Sequence, residues 1–285
     1  MRESQSGRAP SGALFFALAL AALPAHAEEK PEWELGLGAT GFVLPDYRGS
    51  DESRAYVLPF PYFTYRGDRL RVDRQGMRGI FFESDRVELN FSLSATPPVD
   101  SSKNRAREGM PSLDPTIDIG PRLDVTLARD RAREWSFEAR LPVRAAIATD
   151  LSHTKQVGWV AYPHLHLFTR PEIGGVKWNL GVQGGPMYAT KEYHQYFYSV
   201  DPQFATPERP AYTAGGGYSG ALALVSLTRR FPRWWVGAFA RYDTLKGAVF
   251  EASPLVRRDY AVMAGIAFAF VFTESSRKVE VDIDE

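Results

Sequence analysis

The side chains best suited to chemistry are four histidines and one tight group of acids, in a chain that has no cysteine. His164 and His166 are two apart, so on a strand they share a face opposite Leu165 and Leu167. Two imidazoles on one face are a possible metal pair, but no third ligand stands at useful spacing, and a packed or hydrogen-bonded pair is the alternative. His153 and His194 have no Gly-x-Ser-x-Gly or comparable nucleophile context nearby, which weighs against a serine hydrolase. Asp46-Tyr47-Arg48-Gly49-Ser50-Asp51-Glu52 gathers acids whose oxygens could hold a divalent cation or lie among phosphates; a solvated turn capped by Gly and Ser is the competing reading. Arg66-Gly67-Asp68 invites an adhesion reading, yet Gly-Asp between strands is ordinary hairpin chemistry. Gly215-Gly216-Gly217 lacks the following helix N-terminus that a phosphate cradle needs and reads as a tight strand entry. The sequence therefore assigns no catalytic, cofactor-binding or metal-ligating residue. The absence of cysteine excludes disulfides, thiolate metal sites and a cysteine nucleophile.

These side chains are carried by strands. From Arg86 to Ala95, Arg86, Glu88, Asn90, Ser92 and Ser94 alternate with Val87, Leu89, Phe91, Leu93 and Ala95. Between Trp135 and Ile147 the odd positions are apolar, while the even ones include Ser136, Glu138, Arg140 and Arg144. Near the end, Val262, Ala264, Ile266, Phe268, Phe270 and Phe272 face one way and a row of small residues the other. Arg2 and Arg8, an uncharged run from Ala13 to Leu23, and Ala25-His26-Ala27 have the form of a cleaved secretory signal spanning 1–27. Lysine plus arginine, 34, equals aspartate plus glutamate, 34, so nothing global draws the chain to nucleic acid.

Long alternating strands in an exported chain fit an outer-membrane barrel, with apolar faces to lipid and polar faces to the lumen, better than a soluble lipocalin-like barrel. Aromatic residues at strand ends, Trp33, Tyr62, Tyr65, Trp135, Trp159, Trp178, Trp234 and Trp235, fit the interfacial girdles of such a barrel. The fold class is thus all-β, an antiparallel up-and-down barrel over 28–272. Long connections alternate with short ones if one more outer turn falls at Gln75-Gly76, which predicts twelve strands; ten is the alternative if that turn is a bulge. Pro59, Pro61, Pro142 and Pro163 fall inside expected strands and are assigned to bulges. Lumen-facing Arg122, Asp124, Glu138, Arg140, Arg144 and Lys177 carry both signs and are expected to pair across the interior, leaving it narrow or obstructed.

Several blocks together, DYRGSDE at Asp46 to Glu52, LPFPYFTYRGDRLRVDRQGMRG at Leu58 to Gly79, REGMPSLDP at Arg107 to Pro115, RPAYTAGGGYSG at Arg209 to Gly220 and GAFARYDTLKGAVFEASPL at Gly237 to Leu255, resemble the MipA/OmpV family of Gram-negative outer-membrane proteins. The resemblance implies an outer-membrane barrel without enzyme activity or cofactor. Through the name-giving member it implies a scaffold linking a murein-degrading lytic transglycosylase, MltA, to a murein synthase. Other members are described as osmotically regulated proteins, adhesion factors or small pores, so a diffusion channel is the competing class. Lipid and lipopolysaccharide are the expected surroundings. The charged tail 273–285, the segment Glu28 to Glu32 and the turn Arg129 to Glu134 are the expected periplasmic partner surface.

Overall fold

The computed structural model describes residues 28–281 other than 74, 75 and 151; the expected signal at 1–27, Gln75 of the expected outer turn and the last four residues lie outside them. Alternation dictates the architecture. The barrel strands are β1 (Trp33–Pro45), β2 (Ser53–Arg66), β3 (Leu70–Asp73), β4 (Gly76–Glu83), β5 (Val87–Thr96) and β6 (Thr116–Asp130). They continue as β7 (Trp135–Thr149), β8 in two stretches (Thr154–Ala161 and His164–Thr169), β9 (Asn179–Ala189), β10 (Gly217–Arg230), β11 (Trp234–Thr244) and β12 (Tyr260–Glu274). Each strand pairs antiparallel with the next, and β12 pairs with β1 from Ala264↔Val43 to Glu274↔Glu34, which closes the ring. Both stretches of β8 lie between β7 and β9, so they count as one strand and the closed barrel has twelve. Among the described residues no helix is long and apolar enough to cross a membrane; the crossings are made by strands.

The phase of the alternation is as the sequence requires. Leu89, Leu93, Ile117, Ile119, Leu123 and Leu141 are exposed on the outer surface, while Asn90, Ser92, Asp118, Arg122, Asp124 and Glu138 are buried within. Tyr62 and Trp235 depart from the expected girdle: both turn inward and pack on each other, with ring centroids 5.8 Å apart. Trp234 keeps the outward position and stacks on Phe268 at 4.7 Å.

The prolines do not sit in bulges as expected. Arg66 donates its backbone N–H to Glu32 and Asp46 donates to the Glu52 carbonyl, so even-numbered residues of β2 point their backbone groups toward β1. Pro59 and Pro61 are odd and point the other way, where β2 has partners only at Tyr65 and Arg66 among the described residues. The missing N–H groups thus fall on an open edge. Pro142 faces the interruption of β8: its carbonyl accepts from Tyr162, and Pro163 follows at the break. A strand can carry proline where no ladder bond is required, and here the barrel supplies two such places.

The expected charged tail over 273–285 is in part built into strands. β12 runs two residues beyond Phe272, and Lys278–Val281 then pairs with Glu28–Pro31 in a small antiparallel ribbon below the β12–β1 seam. Lys177, expected in the lumen, lies instead in a short hairpin, Glu172–Ile173 with Val176–Lys177, where its ammonium meets the Glu134 carboxylate at the short-turn end. Gly174 and Gly175, both at positive φ, turn that hairpin, and Trp178 donates its backbone N–H to the Pro171 carbonyl at 2.9 Å before β9 starts.

Candidate functional site

The long connections meet over one mouth of the barrel and form a lid with its own apolar core. Tyr47 comes from the β1–β2 loop, Val99 and Leu113 from β5–β6, Phe197, Tyr198, Val200 and Ala214 from β9–β10, and Leu245, Phe250 and Leu255 from β11–β12. Phe250, Leu245 and Leu255 are fully buried, and Tyr198 lies flat on Phe250 at 3.7 Å between centroids. Short inner turns and long outer loops define the two sides of an outer-membrane barrel, so the lid is extracellular.

Several hydroxyl groups within the lid are satisfied locally. Tyr47 Oη donates to the Leu255 carbonyl at 2.8 Å, Tyr198 Oη to the Arg48 carbonyl at 3.0 Å, and Ser253 Oγ to the Tyr198 carbonyl at 2.6 Å. Burial pushes the Tyr47 and Tyr198 phenols well above their ordinary range, and they remain donors. Arg107, from the β5–β6 loop, donates to the carbonyls of Phe197 and Pro111, each at 3.1 Å, and burial draws its guanidinium below the usual value. The lid also contains an eight-residue helix, α1 (Lys191–Tyr198), which lies against β8 at Gly158. Gly158 has φ +130°, and a Cβ there would come within 2.6 Å of the Tyr193 nitrogen, so helix and wall approach only because that position is glycine.

The acid cluster is part of this lid. Asp46 accepts from Arg54 at 2.6 Å and from Asn104 Nδ2 at 2.8 Å, while Asp51 and Glu52 take Arg105 at 3.2 and 2.7 Å. These acids are matched by Arg54 of β2 and by Asn104 and Arg105 of the β5–β6 loop, an arrangement different from both the cation site and the solvated turn. Tyr47 and Arg48 face inward from the same segment, and Arg48 reaches into the lumen to Asp243 at 2.9 Å. Arg241 meets the same carboxylate at 2.8 Å.

Below the lid lies a cavity of about 1060 Å³, running from Lys30, Glu34 and Arg230 at the inner end to Arg48, Tyr193 and Tyr198 under the lid. Of the charges expected to pair across it, four pair along single strands instead: Arg122 with Asp124 at 2.7 Å, Arg140 with Glu138 at 2.6 Å. Residues two apart on one face make these contacts without crossing the lumen. Arg144 reaches past β6 to Ser92 Oγ on β5 at 2.9 Å. At the inner end Glu34 holds both Arg230, at 2.9 Å, and Arg66, at 3.4 Å, so the arginine of the Arg-Gly-Asp triplet is turned into the barrel.

His164 and His166 share the lumen face as expected. His164 stacks on Tyr162 at 4.3 Å and donates from Nδ1 to the Tyr162 carbonyl at 2.8 Å, while His166 Nδ1 lies 3.9 Å from Glu138. Among the described residues no group of three His, Cys, Asp or Glu is arranged to hold a metal ion. A contact that the sequence did not reveal joins His194 Nε2 to Ser219 Oγ at 2.6 Å, with His194 Nδ1 on the Gly215 carbonyl at 2.6 Å. Serine and histidine are both fully buried, and a backbone carbonyl stands where a hydrolase would place a carboxylate. The pair tethers α1 to β10, and the glycine run serves as its acceptor. Burial lowers the His194 imidazole below its ordinary value, favouring the neutral ring.

Closed strands, an apolar outer face, a charged lumen and a lid over the long-loop end define a bacterial outer-membrane β-barrel protein. Within that class, the chain belongs to the MltA-interacting protein MipA family, whose model matches residues 37–272. Outer membrane protein Omp26La of Vibrio anguillarum is 25% identical over 246 residues, 85% of this chain and 87% of the relative. Outer membrane protein OmpV of Vibrio cholerae serotype O1 is 24% identical over the same extent, with the same coverage. Among solved structures, a bacterial polysaccharide outer membrane secretin is similar over 84% of this chain and 99% of that one, at 8% identity and a TM-score of 0.40, too loose a superposition to carry function across. The protein resides in the outer membrane.

Proposed function

We propose that the protein is a non-conducting, non-enzymatic barrel that anchors murein enzymes to the outer membrane from its periplasmic face. The lid is the observation that carries this reading, because a porin needs an aqueous path and this mouth is filled by an apolar core from four loops. Function then falls to the opposite face. There the ribbon of Glu28–Pro31 with Lys278–Val281, held by Arg277 on Glu32 at 3.4 Å, lies at the same end of the barrel as the charged β6–β7 turn, Arg129 to Glu134. The family description names MltA, and the resemblance adds a murein synthase as second partner. The test is recovery of the lytic transglycosylase on the immobilised barrel. Deleting 275–285 and reversing the charges of Arg129, Arg131 and Arg133 should reduce it at least about fivefold, a loss of roughly 1 kcal/mol of binding free energy; full recovery by a folded, heat-modifiable variant refutes the scaffold reading.

A further inference from the structure

Among the described residues the barrel wall is not continuous. β2 runs for fourteen residues from Ser53 to Arg66, whereas its neighbour β3 has four. Among the described residues, β2 pairs on that side only through Tyr65↔Val72 and Arg66↔Arg71. Asp73 and Gly76 form the last described rung of the β3–β4 hairpin. Above the hairpin, the edge of β2 from Ser53 to Thr64 faces an opening toward the outer end of β5. The frame is closed at the top, where Arg54 Nη2 donates to the Lys103 carbonyl at 3.0 Å and Asn104 Nδ2 to Asp46 at 2.8 Å.

Two observations mark the opening as a built feature. An open strand edge in lipid is ordinarily not tolerated, because its N–H groups find no acceptor. At 59 and 61 those N–H groups are absent, since both residues are proline and both point to the open side. The cavity also reaches this place: its lining includes Phe60 and Pro61 on one side of the opening and Ser94 and Thr96 on the other. Outward residues of the same edge are apolar, Val57 being 79% exposed, so the opening gives onto hydrocarbon.

We infer that this opening is a lateral port through which a single-chain amphiphile with an anionic head passes between the outer half of the membrane and the cavity, its head received by Arg48 and Arg241. What arrives through hydrocarbon must have an apolar body, and Phe60, Tyr62 and Trp235 line the cavity to receive it. The head assignment rests on charge. Two guanidiniums share the one Asp243 carboxylate, which leaves one positive charge in excess under the lid. Arg48 Nη2 and Tyr162 Oη are buried there without a hydrogen-bond partner, two donors that a carboxylate or phosphate would satisfy. A free fatty acid and a lysophospholipid both present this chemistry.

The test uses the full barrel in lipid nanodiscs with 11-(dansylamino)undecanoic acid as fluorescent probe. Saturable binding is expected, and Arg48→Gln should weaken it about tenfold, as loss of a charge-assisted hydrogen bond does. Tyr162→Phe, which leaves every ion pair intact, should weaken it about threefold or more. Displacement by laurate against 1-lauroyl-lysophosphatidate identifies which source fits. Ala95→Trp, placed at the opening, should slow association about fivefold or more in nanodiscs, and Val225→Trp, elsewhere on the outer wall, should not. No saturable binding, equal binding of the neutral methyl ester, or association indifferent to Ala95→Trp in a heat-modifiable barrel overturns the proposal.

Discussion

Asp243 has no exposed surface and takes both Arg48 from the loop above and Arg241 from its own strand. Removing its charge strands two guanidiniums in a low-dielectric space, and breaking a buried pair in this way costs about 3–5 kcal/mol. Asp243→Asn should lower the urea midpoint of the barrel in detergent accordingly, and adding Arg48→Gln should restore part of the loss. His194 offers a pH test at the same scale. Its folded pKa is lowered by burial, so the unfolded chain takes up the proton first as pH falls. The stability it contributes is complete above about pH 6.5 and is lost as pH drops from there toward the lower folded value. Lid amides should therefore show less protection at pH 5 than at pH 7.5, after correction for intrinsic exchange, and His194→Gln should flatten the difference.

The lid is an element assembled from four separate loops, and its stability rests on a few rings. Phe250 is fully buried against Tyr198 and His194. Phe250→Ala should cost the lid about 3–5 kcal/mol, seen as rapid proteolysis within 190–216 while the barrel keeps its heat-modifiable migration. Strands such as Val87–Thr96 and Trp135–Thr149 were legible because alternation is local, recorded within ten or so consecutive residues. The lid was not, because burial of Tyr47, Phe197 or Phe250 depends on loops up to two hundred residues apart meeting over one mouth. A signal was present in the many aromatic and aliphatic side chains of connections that would otherwise be polar. The prolines illustrate the same limit: their presence in strands could be read, but whether the neighbour was missing or bulged depended on the length of β3 and the break in β8. Lys177 was misplaced for a simpler reason, since a two-residue hairpin strand carries too little alternation to distinguish lumen from rim.

For the whole molecule, lid and lumen charges together predict electrical behaviour. The protein reconstituted in planar bilayers should be silent, and replacing 192–214 by a short Gly-Ser linker should produce steady currents, because the cavity beneath already extends to the inner end. The closed ring has a further property at its seam. β12 and β1 are joined along ten rungs, and the ribbon continues the same partnership below them, with Glu28 opposite Val281. The beginning and end of the described chain are therefore next-door neighbours, and the order in which the strands are strung is separable from the shape they make. A circular permutant, with the old ends joined by a few glycines and new ones cut between Thr149 and Thr154, keeps every rung of the ring. It asks the assembly machinery to finish on a different strand, and so separates what the barrel needs to stand from what the cell needs to build it.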